Sequence, residues 1–82
     1  MPETYRDQLV AELKARIADG RLTGRLRPEP EMAEKYGVSR WTLREALAVL
    51  KSEDPPLLQT VPRRGTFVAP EAERRARPLA AA

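Results

Sequence analysis

The sequence predicts one small domain that is mainly α-helical and ends in a β-hairpin. Apolar residues repeat at helical spacing in two segments, one near the N-terminus and one in the middle of the chain. Glycines and prolines follow each helical segment, as expected where helices stop. Two short extended runs then flank residues 62–65, which contain Pro and Gly, a combination typical of a hairpin. A length of 82 residues allows one domain.

The first helix is predicted over Tyr5–Ile17. Every fourth residue is apolar or aromatic, which places these residues on one stripe. The stripe consists of Tyr5, Leu9, Leu13 and Ile17. Thr4 followed by Asp7 resembles a capping box, and Gly20 suits the stop that follows the helix. We expect this helix to be structural.

A short second helix is predicted from about Glu29 to Tyr36. Pro28 or Pro30 is tolerated in its first turn, where the backbone needs no amide partner. The inward-facing residues are Met32, Ala33 and Tyr36. Gly37 supplies a left-handed stop, and residues 37–39 form the turn into the next helix.

The third helix is predicted over Ser39–Ser52, with Ser39 as the N-cap. Its apolar stripe consists of Leu43, Ala46, Leu47 and Leu50. The opposite side collects Trp41, Glu45, Ala48 and Ser52. Arg40 and Arg44 stand one turn apart on the flank of that exposed side, and Thr42 lies near the other edge. Two consecutive prolines at 55 and 56 end the helix.

The hairpin strands are predicted at Leu57–Val61 and Thr66–Ala69. Together with the helices they give a three-helix winged helix-turn-helix domain over residues 1–70. Residues 71–82 have few side chains to bury, and we expect a linker or disordered tail there.

The composition excludes several function classes. The chain has no cysteine and no histidine, so it forms no disulfide and no thiolate zinc site, and it lacks the commonest general base. We therefore expect no enzyme activity, no cofactor and no metal. No apolar run approaches the roughly 20 residues of a membrane span, and the charged N-terminus does not resemble a signal peptide. A soluble cytoplasmic protein without a membrane partner is expected.

The positive charge is concentrated in the second half of the chain. Residues 1–38 carry seven acidic and seven basic side chains, whereas residues 39–82 carry eight basic and five acidic ones. This distribution is expected if the second half faces a polyanion. Twelve of the fifteen basic residues are arginine, which suits bidentate recognition of guanine or phosphate. A GC-rich genome also explains a high arginine count, but it does not explain where the arginines lie.

A short helix, a three-residue turn and a serine-capped helix form a helix-turn-helix pattern. In this motif the N-terminal part of the second helix projects outward and can enter a major groove. Helix pairs of this kind also occur as plain packing units, so the pattern alone leaves both interpretations open.

The side chains on the exposed part of the third helix also have two interpretations. Arg40 at a helix N-terminus is unfavourable for the helix dipole, which favours a binding role over a stabilising one. Arg44 is either a DNA contact or part of a solvated face. Thr42 can serve a thymine, a phosphate or only the helix edge. Trp41 either covers DNA or packs on the preceding turn.

Arg63, Arg64 and Gly65 lie at the predicted hairpin tip. Two adjacent arginines beside a glycine suit insertion into a narrow, negative minor groove. A solvated loop is the alternative.

Two segments, EMAEKYGVSRWTLREALAVL and RRGTFVAP, resemble the winged helix-turn-helix domain of GntR-type bacterial transcription regulators. The resemblance covers roughly residues 5–70. It implies that Ser39, Arg40, Thr42 and Arg44 contact DNA and that the tip around residues 63–65 reaches the minor groove. It also implies binding of two-fold operators by dimers, and a separate effector-binding domain in most members.

The sequence departs from the family pattern in three places. Pro28 replaces the serine that normally caps the second helix, and Pro30 replaces a basic DNA-contacting residue for which Arg25 or Arg27 can substitute. Residues 54–56 replace a glycine after the third helix. Arg63 replaces a glycine that is common at the wing tip.

The sequence thus predicts sequence-specific binding of double-stranded DNA by a bacterial transcriptional regulator that acts as a repressor. The helix over residues 39–52 is expected in the major groove and the wing over residues 57–69 at the minor groove. The partners are a palindromic operator and a second copy of the protein. The alternative is a winged-helix module that binds protein or RNA without reading duplex DNA.

Overall fold

The computed structural model describes residues 4–77 and contains four helices and one two-stranded antiparallel sheet within that range. The elements follow the chain as α1 (Tyr5–Ala18), α2 (Glu29–Tyr36), α3 (Arg40–Ser52), β1 (Leu58–Val61), β2 (Gly65–Val68) and α4 (Pro70–Arg75). The predicted order of three helices and a hairpin is confirmed. Across this part of the chain no helix is both long and apolar enough to cross a membrane.

Helix α1 begins as its capping pattern predicts. The Asp7 amide donates a hydrogen bond to Thr4 Oγ1 over 3.0 Å, and hydrogen bonding with Thr4 lowers the pKa of the Asp7 carboxyl. Leu9, Leu13 and Ile17 are buried in the core as expected. Tyr5 is 76% exposed, so its predicted place on the buried stripe is wrong; it lies in the first turn, beyond the edge of the core.

Helix α3 packs between α1 and the hairpin, with its apolar stripe inward. The core consists of Leu9, Leu13, Ile17, Leu26, Met32, Ala33, Leu43, Ala46, Leu47, Leu50, Leu58, Val68, Ala69 and Ala72. Burying a leucine side chain contributes about 1.5–3 kcal/mol, so this stripe is the main attachment of α3. After α3 the chain turns back, and the Leu57 amide reaches the Leu50 carbonyl over 3.0 Å.

The hairpin pairs Leu58 with Val68 and Val61 with Gly65. Strand β1 begins one residue later than predicted and ends where predicted, whereas β2 begins and ends one residue earlier than predicted. The segment before α2 also joins this sheet: Leu26 donates to the Thr66 carbonyl, and Val68 donates to the Gly24 carbonyl, each over 2.8 Å. Periodicity did not predict this pairing, because a stretch of three residues is too short to show an alternating pattern.

The chain after the hairpin differs from the predicted linker. Residues 70–75 form α4, whose Ala72 is buried against the core. The Glu73 carboxylate accepts a hydrogen bond from the Gly24 amide over 2.6 Å, and the Arg77 amide donates to the Ala18 carbonyl over 2.7 Å. The prediction of a linker or disordered tail over residues 71–82 is therefore corrected for residues 71–77. Residues 78–82, and residues 1–3 of the predicted domain, lie outside the described range.

The N-terminus of α2 has no side-chain cap. Pro28 occupies the N-cap position with φ −54° and ψ 146°, and its side chain makes no hydrogen bond. Pro30 in the first turn has no amide to satisfy. A side chain at the N-cap could accept a hydrogen bond from the amide of Glu31, the third residue of the helix, but the Pro28 ring has no acceptor for it.

We expect Pro28→Ser to be more stable than Pro28→Ala by about 1 kcal/mol, because the serine hydroxyl can accept a hydrogen bond from the Glu31 amide. Both variants lose the restraint that proline places on the unfolded chain, so their difference isolates the cap. Urea unfolding of the two variants measures it. Equal free energies of unfolding would show that this helix start does not need a cap.

The turn of the hairpin places Arg63 at φ 65°, in the left-handed region. This explains why a glycine suits that position, since a side chain there costs about 1–2 kcal/mol. Neighbouring Arg64 is not among the residues with positive φ, and its amide donates to the Val61 carbonyl over 3.0 Å.

Arg63→Gly is therefore expected to be more stable than Arg64→Gly by about 1–2 kcal/mol. Both variants lose one arginine and gain the same freedom in the unfolded state, so Arg64→Gly is the matched control. Thermal or urea unfolding compares them. If Arg63→Gly is the less stable of the two, Arg63 is not strained.

Candidate nucleic-acid interface

The turn between α2 and α3 sets how α3 is presented. Gly37 ends α2 with φ 66° and ψ 34°, a conformation that L-residues with side chains rarely adopt. Its amide donates to the Glu34 carbonyl, and the Val38 amide donates to the Ala33 carbonyl over 3.0 Å. Ser39 then caps α3 from extended backbone. The predicted helix-turn-helix is therefore present, and the N-cap of α3 lies two residues after the C-cap of α2.

Two of the predicted contact residues support the start of α3 itself. The Thr42 amide donates to Ser39 Oγ over 3.0 Å, which makes Ser39 the N-cap. The Ser39 hydroxyl also lies 3.1 Å from Thr42 Oγ1 and donates to it. Both hydroxyls are thus held in place at the exposed end of the helix, and each oxygen has further lone pairs.

The outward side of α3 carries Arg40, Trp41 and Arg44, and all three are exposed. Trp41 is 70% exposed, so it does not serve as a core anchor. An indole in this position has a flat apolar face and an N–H donor available to a partner. The opposite side of the same helix is the buried leucine stripe. The structure therefore brings the predicted α3 residues together on one accessible surface.

Arg44 is held by a carboxylate from the preceding helix. Its Nε donates to Glu29 Oε1 over 2.8 Å, and the two side chains are 58% and 41% exposed. An ion pair at this exposure contributes at most about 1 kcal/mol, so its main effect is to orient the guanidinium. Sequence reasoning missed this partner because the two residues are 15 positions apart and only the helix crossing joins them.

The wing presents Arg63 and Arg64 to solvent, followed by a half-buried Gly65. Gly65 has φ 120°. A Cβ at this glycine would lie 3.2 Å from Nε of Arg25, which shows that the Arg25 side chain lies across the wing backbone. Arg25 itself is exposed and forms a β-bridge with Phe67.

The basic side chains of residues 4–77 fall into two groups. One group forms ion pairs with carboxylates of the same chain: Arg6, Lys14, Arg16, Arg21, Arg27, Arg44 and Arg75. The other eight form no ion pair among these residues: Arg25, Lys35, Arg40, Lys51, Arg63, Arg64, Arg74 and Arg77. Four of the eight, at positions 25, 40, 63 and 64, lie on α3, the wing and the segment paired to the wing, so positive charge without an internal counter-ion lies along this surface.

A cavity of about 230 Å³ lies between the wing base and α2. Arg25 and Gly65 line it on one side, and Glu29 and Met32 line it on the other. Within residues 4–77 no three acidic, histidine or cysteine side chains are grouped as metal ligands are. The arrangement has the features of a charged docking surface for a polyanion.

Comparison with known proteins identifies a matching family and a similar regulator. Residues 5–68 match the family model described as "Bacterial regulatory proteins, gntR family". The chain is similar to the HTH-type transcriptional repressor NagR of Bacillus subtilis strain 168, with 42% identity over 64 residues. Those residues are 76% of this chain and 26% of NagR, so the chain spans about a quarter of that relative.

Solved structures also resemble this fold. The DNA-binding domain of AraR, in a crystal structure with operator ORR3, has a TM-score of 0.71 and 31% identity, covering 84% of this chain and 83% of that one. A transcriptional regulator from Oenococcus oeni has a TM-score of 0.78 at 22% identity, covering 92% of this chain and 62% of that one. The latter likeness concerns the fold alone.

Proposed function

Because the chain belongs to the gntR family of bacterial regulatory proteins, we propose that it binds duplex DNA sequence-specifically and regulates transcription by doing so. Helix α3 enters the major groove, and the wing contacts the adjacent minor groove. The observation that carries this proposal is the exposed end of α3, where Arg40, Trp41 and Arg44 project away from a buried leucine stripe.

Arg44 is the proposed base reader. Its Nε is engaged by Glu29, which leaves the two terminal nitrogens of the guanidinium to face the partner. Two parallel donors match the O6 and N7 acceptors of guanine in the major groove. Glu29 acts as a positioning residue, because it limits the rotation of the guanidinium before DNA binds. Its location in the first turn of α2 is also favourable for a carboxylate.

The other predicted contacts serve the backbone and the groove edge. Arg40 clamps a phosphate near the start of α3, and Ser39 and Thr42 contact the sugar-phosphate backbone or a thymine. Trp41 covers a sugar or a thymine methyl. Arg63 and Arg64 bind the minor groove, where the potential is strongly negative.

Repression is the proposed outcome of binding. It is supported by the name of NagR, a transcriptional repressor, and by the operator complexes of the AraR domain. We further propose that two copies bind a palindromic operator in the cytoplasm, without a cofactor or an enzymatic step. Selection of preferred sites from a random duplex pool tests this, since half-sites about 34–36 Å apart report a two-fold complex.

A second candidate function is binding of protein or RNA without duplex DNA readout. The high exposure of Trp41 favours it, because a large aromatic residue left in water suits a protein interface. The two functions differ in their response to duplex DNA and to salt.

Trp41 is the single tryptophan of the chain and therefore reports binding by its own fluorescence. Titration with random-sequence duplex is expected to change Trp41 emission. If Arg40, Arg63 and Arg64 each neutralise one phosphate, affinity falls about 40-fold between ~50 and ~200 mM salt. Arg63→Ala flattens this dependence. No emission change, or an affinity that is independent of salt, would favour the second candidate.

Arg44→Ala is expected to weaken binding to the selected site by about 1–3 kcal/mol and to relax preference at one base pair. Affinities for the selected site and for single-base variants of it measure both effects. Glu29→Gln is the matched control, since the amide oxygen still accepts from Arg44 Nε and specificity should persist. Full affinity and unaltered preference in Arg44→Ala would remove it from the proposed readers.

A further inference from the structure

We propose that Arg25 is an additional DNA-binding residue, which binds a backbone phosphate of duplex DNA between α3 and the wing. This inference rests on the proposed function and adds a contact from a segment outside both the recognition helix and the hairpin. Four observations carry it: the backbone placement of Arg25, its contact with Gly65, its unpaired charge, and its location.

The backbone of Arg25 is fixed to the wing. Arg25 forms an antiparallel bridge with Phe67, and hydrogen bonds of 2.8 Å lie on either side, from Leu26 to Thr66 and from Val68 to Gly24. The Gly24 amide is also bound by the Glu73 carboxylate over 2.6 Å. Arg25 therefore moves with β2 rather than with a free loop.

The side chain of Arg25 crosses the wing at Gly65. A Cβ at Gly65 would lie 3.2 Å from Nε and 3.8 Å from Cζ of Arg25, so the absence of a side chain there leaves space for the guanidinium. The residues before Gly65 are Arg63 and Arg64. Three arginines are thus associated with one short hairpin.

Arg25 and its neighbour Arg27 differ in whether they form an ion pair. Arg27 Nε donates to Glu31 Oε2 over 2.9 Å, so its charge is balanced within the chain. Arg25 forms no ion pair with any carboxylate of residues 4–77. Of these two arginines, Arg25 is therefore the one with a free charge for a phosphate.

The location of Arg25 suits a contact between the two grooves. It lines the same cavity as Glu29, the partner of Arg44, and as Gly65 of the wing. A duplex that places α3 in the major groove and the wing in the minor groove presents the intervening phosphate backbone to this position. An arginine aimed at phosphate adds affinity without sequence preference.

The test compares Arg25→Ala with wild type in titrations of the whole chain with fluorescein-labelled random-sequence duplex over a range of salt. Arg74→Ala is the matched control, because Arg74 is also exposed and unpaired among the described residues but lies on α4. Arg25→Ala is expected to reduce the slope of log K against log salt by about 0.9, and to weaken binding about fivefold near 0.15 M salt. Arg25→Lys, which keeps the charge, is expected to retain the slope.

The outcomes distinguish a failure of the Arg25 inference from a failure of the proposed DNA binding. A wild-type slope in Arg25→Ala, or an equal loss of slope in Arg74→Ala, overturns the role of Arg25 while DNA binding by the wild type leaves the proposed function intact. Absence of binding by the wild type overturns the proposed function itself. If thermal melting shows that Arg25→Ala is unfolded, Arg25→Met keeps an unbranched apolar side chain without the charge, and its slope decides in the same way.

Discussion

Leu43, Ala46 and Leu50 have no solvent-exposed surface, and they fix the rotation of α3 about its own axis. Turning the helix to present another side would bring at least two leucines into water, at a cost of several kcal/mol. A single exposed ion pair contributes at most about 1 kcal/mol and does not compete with that. The directions of Arg40, Trp41 and Arg44 are therefore set by the core, although none of the three is part of it.

The ion pairs differ in whether they join residues that are close in sequence or residues on different helices. Most ion pairs of the described residues are between neighbours in sequence and balance each other on the surface. The pair between Arg44 and Glu29 instead joins two helices. It leaves the arginine accessible while restricting its geometry, so less side-chain entropy would be lost in the proposed contact with a base. Arginines without such a partner keep that entropy and suit phosphates, which can be reached from many directions.

The sequence was sufficient for the features that depend on local pattern. The leucine stripe of α3, the Ser39 cap, the Gly37 stop and the hairpin all follow from residues within one or two turns of each other, and the structure contains them. The place of Trp41 on the helix also predicted that it is exposed. The sequence did not decide whether Trp41 packs on the preceding turn, and that required its exposed fraction in the structure.

Features that depend on contacts between distant residues were not predictable in this way. Glu29 contacts Arg44 only because the turn between α2 and α3 makes these two helices cross. Arg25 reaches Gly65 only because the three-residue stretch that contains Arg25 pairs with β2. Helix α4 is too short to show a period, and its single buried residue, Ala72, gives no apolar signal in the sequence. Tyr5 has the right spacing for the core but lies beyond its edge.

The hydrogen bond from the Arg77 amide to the Ala18 carbonyl holds the last described residue beside the end of α1. Ala18 lines the same cavity as Glu53 and Asp54, which follow the C-terminal end of α3. A helix of 13 residues is about 20 Å long, so residue 77 lies roughly one helix length from Arg40. A fluorophore, an affinity tag or an immobilisation linker attached at residue 77 therefore starts at the end of α3 opposite Arg40, and sensors made this way leave the proposed DNA-binding surface open.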